Sequence, residues 1–155
     1  SKMEDNKRPV VAVSGGFDPV TSGHVAMILD AAKIVDVVVL LNSDEWCARK
    51  RWTGSCFLPW ERRRLVLMEI PGVKAVWGVD DADDTVCAAL EELKPDYFGN
   101  GATRTVENTP EVSLCRKMGI GTLWFLGSEV TPNTREIRTQ AIQNAFADEK
   151  NYFHY

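Results

Sequence analysis

Apolar residues along this chain gather into short runs separated by amphipathic stretches of helical period. Pro9-Val10-Val11-Ala12-Val13 and Asp36-Val37-Val38-Val39-Leu40-Leu41 are continuous and rich in β-branched residues, the pattern of strands buried on both faces of a parallel sheet. Residues 75–79, 96–98 and 122–126 read as further strands. Between them, residues 23–35 carry Val25, Ile28, Leu29, Ala32 and Val35 on one helical face. Residues 59–70, 84–93, 110–118 and 133–146 predict the remaining helices. Strand and helix alternate throughout, which predicts an α/β fold: a doubly wound, Rossmann-like parallel five-stranded sheet with helices on both faces. No repeat, low-complexity tract or linker interrupts the pattern, so a single domain over residues 1–155 is expected. Residues 1–8 are expected to be disordered, and the aromatic tail 147–155 to be available for an interface. In such sheets ligands lie at the carboxyl ends of the strands, where the strand order reverses.

Composition narrows the function classes. No apolar run is long enough to span a bilayer, and the polar opening Ser1 to Arg8 does not look like a secretory leader, so a cytoplasmic protein without membrane contact is expected. A net charge of −4 argues against a nucleic-acid surface, which needs a basic face. An anionic ligand must therefore be met by a local cluster of donors. The cysteines Cys47, Cys56, Cys87 and Cys115 have no C-x-x-C spacing, and the only histidines are His24 and His154. Buried thiols are expected rather than a zinc site or disulfides, and no residue is assigned as a metal ligand.

One segment carries the candidate chemistry. Gly15-Gly16-Phe17-Asp18-Pro19-Val20-Thr21-Ser22-Gly23-His24-Val25 follows the first strand and opens the first helix. Strand, glycine turn and helix in this order aim free backbone N–H groups at an anion. Gly15 and Gly16 allow a close backbone approach, Asp18 can hydrogen-bond its own turn, and His24 adds a side-chain donor. The segment resembles the GxFDxxHxGH signature of the cytidylyltransferase-like nucleotidyltransferases, with Thr21 in place of the first histidine. That replacement exchanges an imidazole for a hydroxyl. Thr-x-Gly-His also occurs in the phosphopantetheine adenylyltransferases of the same superfamily.

Almost end to end, the chain resembles the glycerol-3-phosphate cytidylyltransferase and ADP-heptose synthase branch. The resemblance rests on Asn42-Ser43-Asp44 leading into Arg49-Lys50-Arg51, on Glu61-Arg62-Arg63, and on Leu93-Lys94-Pro95-Asp96 leading to Gly101. It implies that Lys50 and Arg51 belong to a basic flexible loop contacting phosphates. It also implies that Arg63 sits on a nucleotide-binding helix and that Gly101 lets backbone lie against base or ribose. Ala102-Thr103-Arg104 departs from the acidic residues usual there, which leaves the acceptor open. Asn133-Thr134-x-x-x-Arg138 resembles the superfamily's second signature, in which a helix N-terminus and a basic residue face the β- and γ-phosphates.

The resemblance implies a nucleotidyltransferase that joins a nucleoside monophosphate from an NTP to a phosphorylated alcohol, a sugar phosphate or a phosphonate, with Mg²⁺, releasing pyrophosphate. CTP is favoured. The alternatives are ATP, in an enzyme of ADP-heptose or pantetheine-phosphate type, and a nucleotide-binding module without turnover. His24, Thr21, Lys50 and Arg138 are the expected catalytic residues; Gly15, Gly16, Phe17, Asp18, Gly23, Arg51, Arg63, Gly101, Asn133 and Thr134 are the expected nucleotide contacts. A homodimer is expected, with Trp46, Trp52 and Trp60 available to an interface or to a stacking wall.

Overall fold

A computed structural model of the chain describes residues 8–33, 35–101 and 104–126. The strands are β1 (Val10–Gly15), β2 (Asp36–Leu41), β3 (Val73–Gly78), β4 (Tyr97–Gly101) and β5 (Gly121–Leu126). The helices are α1 (Ser22–Ala32), α2 (Asp44–Lys50), α3 (Trp60–Met68), α4 (Cys87–Leu93) and α5 (Val112–Met118). All strands pair in parallel, in the order β3-β2-β1-β4-β5. The α/β Rossmann-like reading is therefore correct in class, topology and strand number.

Period-two alternation divides the core. Val11, Val13, Val37, Val39 and Leu41 face a layer built by Met27, Ile28 and Ala31 of α1 and Leu67 of α3. Ala12, Val38, Leu40 and Phe98 face the other way, onto Val86, Leu90 and Cys115. Register keeps the two sets apart, with Val11 opposite Val37 and Ala12 opposite Val38. A slip of one residue would turn each set onto the wrong layer.

The chain runs outward from β1 to β3, then returns to place β4 on the other side of β1. That reversal leaves a crevice beyond the carboxyl ends of β1 and β4. Helix α2 was not anticipated, because its seven residues carry no apolar stripe. Its signals are polar. Ser43 caps it, accepting from the Trp46 N–H at 3.0 Å, and Asp44 and Glu45 open it while Arg49 and Lys50 close it, each favourable to the helix dipole. The expected basic flexible loop is thus helical through Lys50, with Arg51 as its C-cap.

Candidate active site

A cleft of about 620 Å³ occupies the crevice. It brings together Gly15, Phe17, Thr21, Gly23, His24, Lys50 and Gly101 from the expected set, with Asn42, Trp46, Asp84, Arg104, Asn108 and Glu111 around them. Asn133, Thr134 and Arg138 lie outside the described residues.

Thr21 and His24 form a reciprocal cap at the start of α1. The Thr21 hydroxyl oxygen accepts from the His24 backbone N–H at 3.4 Å, while His24 Nδ1 accepts from the Thr21 N–H at 3.0 Å. A histidine here takes the place usually held by Glu or Gln. Because Nδ1 accepts a backbone proton, the neutral ring carries its own proton on Nε2, and that nitrogen remains for a ligand. Phe17 packs against the ring at 4.7 Å between centroids, edge-on, which fixes its plane. The N–H groups of Ser22 and Gly23, the first two of the helix, have no intrahelical acceptor. The site therefore offers an imidazole N–H beside helix-terminal N–H groups.

Burial holds the His24 pKa below its ordinary 6.5. Above pH 6.5 the ring is neutral in folded and unfolded chains alike. Below that value the unfolded chain takes up the proton first, so stability falls as pH drops from 6.5 toward the depressed folded value. Protonation also converts Nδ1 into a donor and breaks its bond to Thr21. Denaturant melts across this window should show a steeper acid-side loss for the wild type than for His24→Ala; parallel curves would remove His24 as its source.

The left-handed residue of the glycine turn is Phe17, with φ of 47°. A Cβ on Gly15 would lie 3.1 Å from the Phe17 ring, and one on Gly16 3.1 Å from Cys47 Sγ. The glycines make room for neighbouring side chains. Gly16 lies behind the turn, beside Trp46 and Cys47.

Asp18 does not bond within its own turn. Its two carboxylate oxygens accept from the Phe57 and Leu58 N–H groups, both at 2.7 Å, and so tie the turn to the segment before α3. Asp18→Ala should cost about 1.5–3 kcal/mol, the usual scale for hydrogen bonds to a charged group. The measurement is an equilibrium denaturant melt, and an unchanged midpoint would sink the assignment.

Arg51 lies on the far side of the same turn, its guanidinium donating to the Asp18 carbonyl at 3.4 Å and standing 5.8 Å from the Phe57 ring centre. Arg63 departs furthest from expectation. Its side chain is fully buried and lies away from the cleft lining. Nε donates to Leu58 O, one terminal nitrogen donates to Gly16 O and Asn42 O, both at 2.8 Å, and the other meets Asp44 at 2.7 Å. One guanidinium thus gathers the chain just beyond β1 and β2 and the approach to α3.

Asp81 was not singled out in the sequence, whereas Trp46 was named as available to a stacking wall. Asp81, 4% exposed, accepts from Asn42 Nδ2, Ser43 N and Ser43 Oγ at 2.7–2.9 Å, fixing the end of β2. Trp46 lines the cleft, with Lys50 Nζ 5.4 Å from its ring centre. Lys50 also approaches Asp84 at 4.0 Å, which draws its ammonium toward the cleft wall. Trp60 donates to Leu41 O at 3.2 Å and acts as a structural tie, whereas Trp52 is 96% exposed. The cysteines are free thiols, and burial pushes Cys115 up to about 12, far from nucleophilic at neutral pH. Among the described residues, no helix is long and apolar enough to cross a membrane.

A glycine turn, a capped helix and a switch-point crevice are the arrangement with which doubly wound α/β folds hold phosphate-bearing ligands. The cytidylyltransferase-like family model matches residues 12–145, and the chain belongs to that family. It is 36% identical to the bifunctional protein HldE of Aeromonas hydrophila over 93 residues, covering 59% of this chain and 19% of that protein. Against the bifunctional protein HldE of Streptomyces coelicolor it is 34% identical over 111 residues, covering 71% of this chain and 24% of the relative. The chain thus spans about a fifth to a quarter of the length of these relatives. The lipopolysaccharide core biosynthesis protein of Thermoplasma volcanium has a similar fold, with a TM-score of 0.61 and 22% identity over 79% of this chain and 98% of that one.

Proposed function

We propose that the chain transfers an adenylyl group from ATP to a sugar phosphate, releasing pyrophosphate. The observation that carries the transfer is His24, whose Nδ1 is occupied by the Thr21 N–H while its ring lines the cleft beside the start of α1. The choice of ATP over CTP is supported by the likeness to the bifunctional HldE proteins, together with the resemblance to the ADP-heptose synthase branch.

In this reading the NTP enters with Mg²⁺ on its phosphates as part of the substrate. An acceptor phosphate oxygen forms a bond to the α-phosphorus, the bond to the bridging oxygen breaks, and its electron pair leaves with pyrophosphate. The acceptor phosphate is already an anionic nucleophile, so the protein supplies positioning and charge stabilisation. His24 Nε2–H and the Thr21 hydroxyl donate to α-phosphate oxygens as charge builds. Lys50 neutralises the departing phosphates, with Arg138, Asn133 and Thr134 assigned to the same task by resemblance. The proposed assembly is a homodimer in the cytoplasm.

The test is pyrophosphate release with Mg²⁺ and each of ATP, CTP, GTP and UTP against heptose, hexose and polyol phosphates, with product masses measured. A product of acceptor plus AMP is expected. Acceptor plus CMP would return the assignment to CTP, and no product despite NTP binding would leave a nucleotide-binding module.

A further inference from the structure

Glu111 is buried without full use of its hydrogen-bonding capacity. Its side chain is 3% exposed and belongs to the wall of the cleft. Oε2 accepts from the Val86 N–H at 3.0 Å. Oε1 is withdrawn from solvent and has no hydrogen-bond partner among the described residues. The closest cation among the described residues, the Arg104 guanidinium, stands 3.8 Å from it, beyond hydrogen-bond distance. A buried acceptor left open is costly unless something donates to it.

The chemistry that Oε1 can satisfy is specific. A carboxylate oxygen takes donors only and repels phosphate oxygens. Arg104 lines the same cleft beside it, so a ligand group there meets one strong acceptor next to a donor. A hydroxyl satisfies that arrangement, because it donates through its proton and accepts through its oxygen. We propose that Glu111 is the hydroxyl-recognising residue of the cleft, receiving a hydrogen bond from a sugar hydroxyl of the bound substrate, with Arg104 beside it. The ribose of the NTP and the acceptor sugar both carry such hydroxyls. The inference rests on the nucleotidyltransferase reading of the site.

Glu111→Gln tests it, since the glutamine carbonyl can still accept from Val86 while its NH₂ replaces the open oxygen. Calorimetric binding of ATP, 2′-deoxy-ATP, 3′-deoxy-ATP and heptose 1-phosphate would be compared in the two proteins. The variant should bind one hydroxylated ligand roughly 10- to 100-fold more weakly, the scale of a hydrogen bond to a charged group. Loss confined to ATP, and absent with one deoxy-ATP, assigns the ribose. Loss confined to heptose 1-phosphate assigns the acceptor. Equal weakening of ATP and both deoxy analogues, or no weakening at all, overturns the proposal. Should the variant fail to fold, the wild type serves alone: it should discriminate a hydroxylated ligand from its deoxy counterpart at least tenfold, and equal affinity refutes the idea. Wild-type protein that binds no NTP instead overturns the underlying functional reading.

Discussion

His24→Ala is expected to lower turnover by about 10²–10³, the loss that follows removal of one preorganised donor from a developing oxyanion. The same change should also lower stability by about 1 kcal/mol, because the reciprocal cap with Thr21 loses one arm. The two effects can be separated. His24→Gln keeps a capping acceptor at the third helical position but lacks the imidazole, so it should recover the melting temperature and not the rate. A glutamine variant that restores turnover would reduce His24 to a cap. An alanine variant within tenfold of wild type would remove it from the chemistry altogether.

Arg63→Ala should produce the largest stability loss in the described chain, about 3–5 kcal/mol, from the space left by a fully buried side chain and the carbonyls left without a donor; the ion pair adds little, since Asp44 is 44% exposed. Three carbonyls lose their shared donor, and Asp44 loses its partner. Lysine will not substitute. Its ammonium has three donors on a flexible stem and cannot reproduce a planar fork that reaches four acceptors. An Arg63→Ala protein with a normal denaturation midpoint but weakened NTP binding would restore the residue to the nucleotide site.

The sheet was legible because its signal is redundant: five short strand-like runs, the first two continuously apolar, alternate with helical stretches and admit few alternative topologies. The first turn was legible because His24 and Thr21 lie within four residues of each other and act locally. What escaped notice depends on long-range partners. Asp18 reads as a turn residue until Phe57 and Leu58 arrive from 39 and 40 residues away. Glu111 reads as one acid in a surface helix, and only the fold carries it to Val86 and Arg104. Arg63 had a usable signal that charge obscured. Residues 63 and 67 of α3, continued by Ile70 just beyond it, form a buried stripe, while the apolar Leu65, Val66 and Met68 face outward. Helical spacing thus placed an arginine in the core, against the general rule that arginine stays exposed.

The Arg63 clamp also orders events in time. The residues proposed to carry the chemistry finish at Lys50 on their side of the cleft, yet the turn that aligns them is held from a helix beginning at Trp60. Contacts at a sequence separation of 47 form late relative to local ones, since the intervening loop must close first. During synthesis, a nascent chain that has emerged only as far as α2 would carry the whole first motif without the guanidinium that sets its geometry. Ligand capacity on this side of the cleft should therefore appear abruptly, when α3 docks, and not grow in step with chain length.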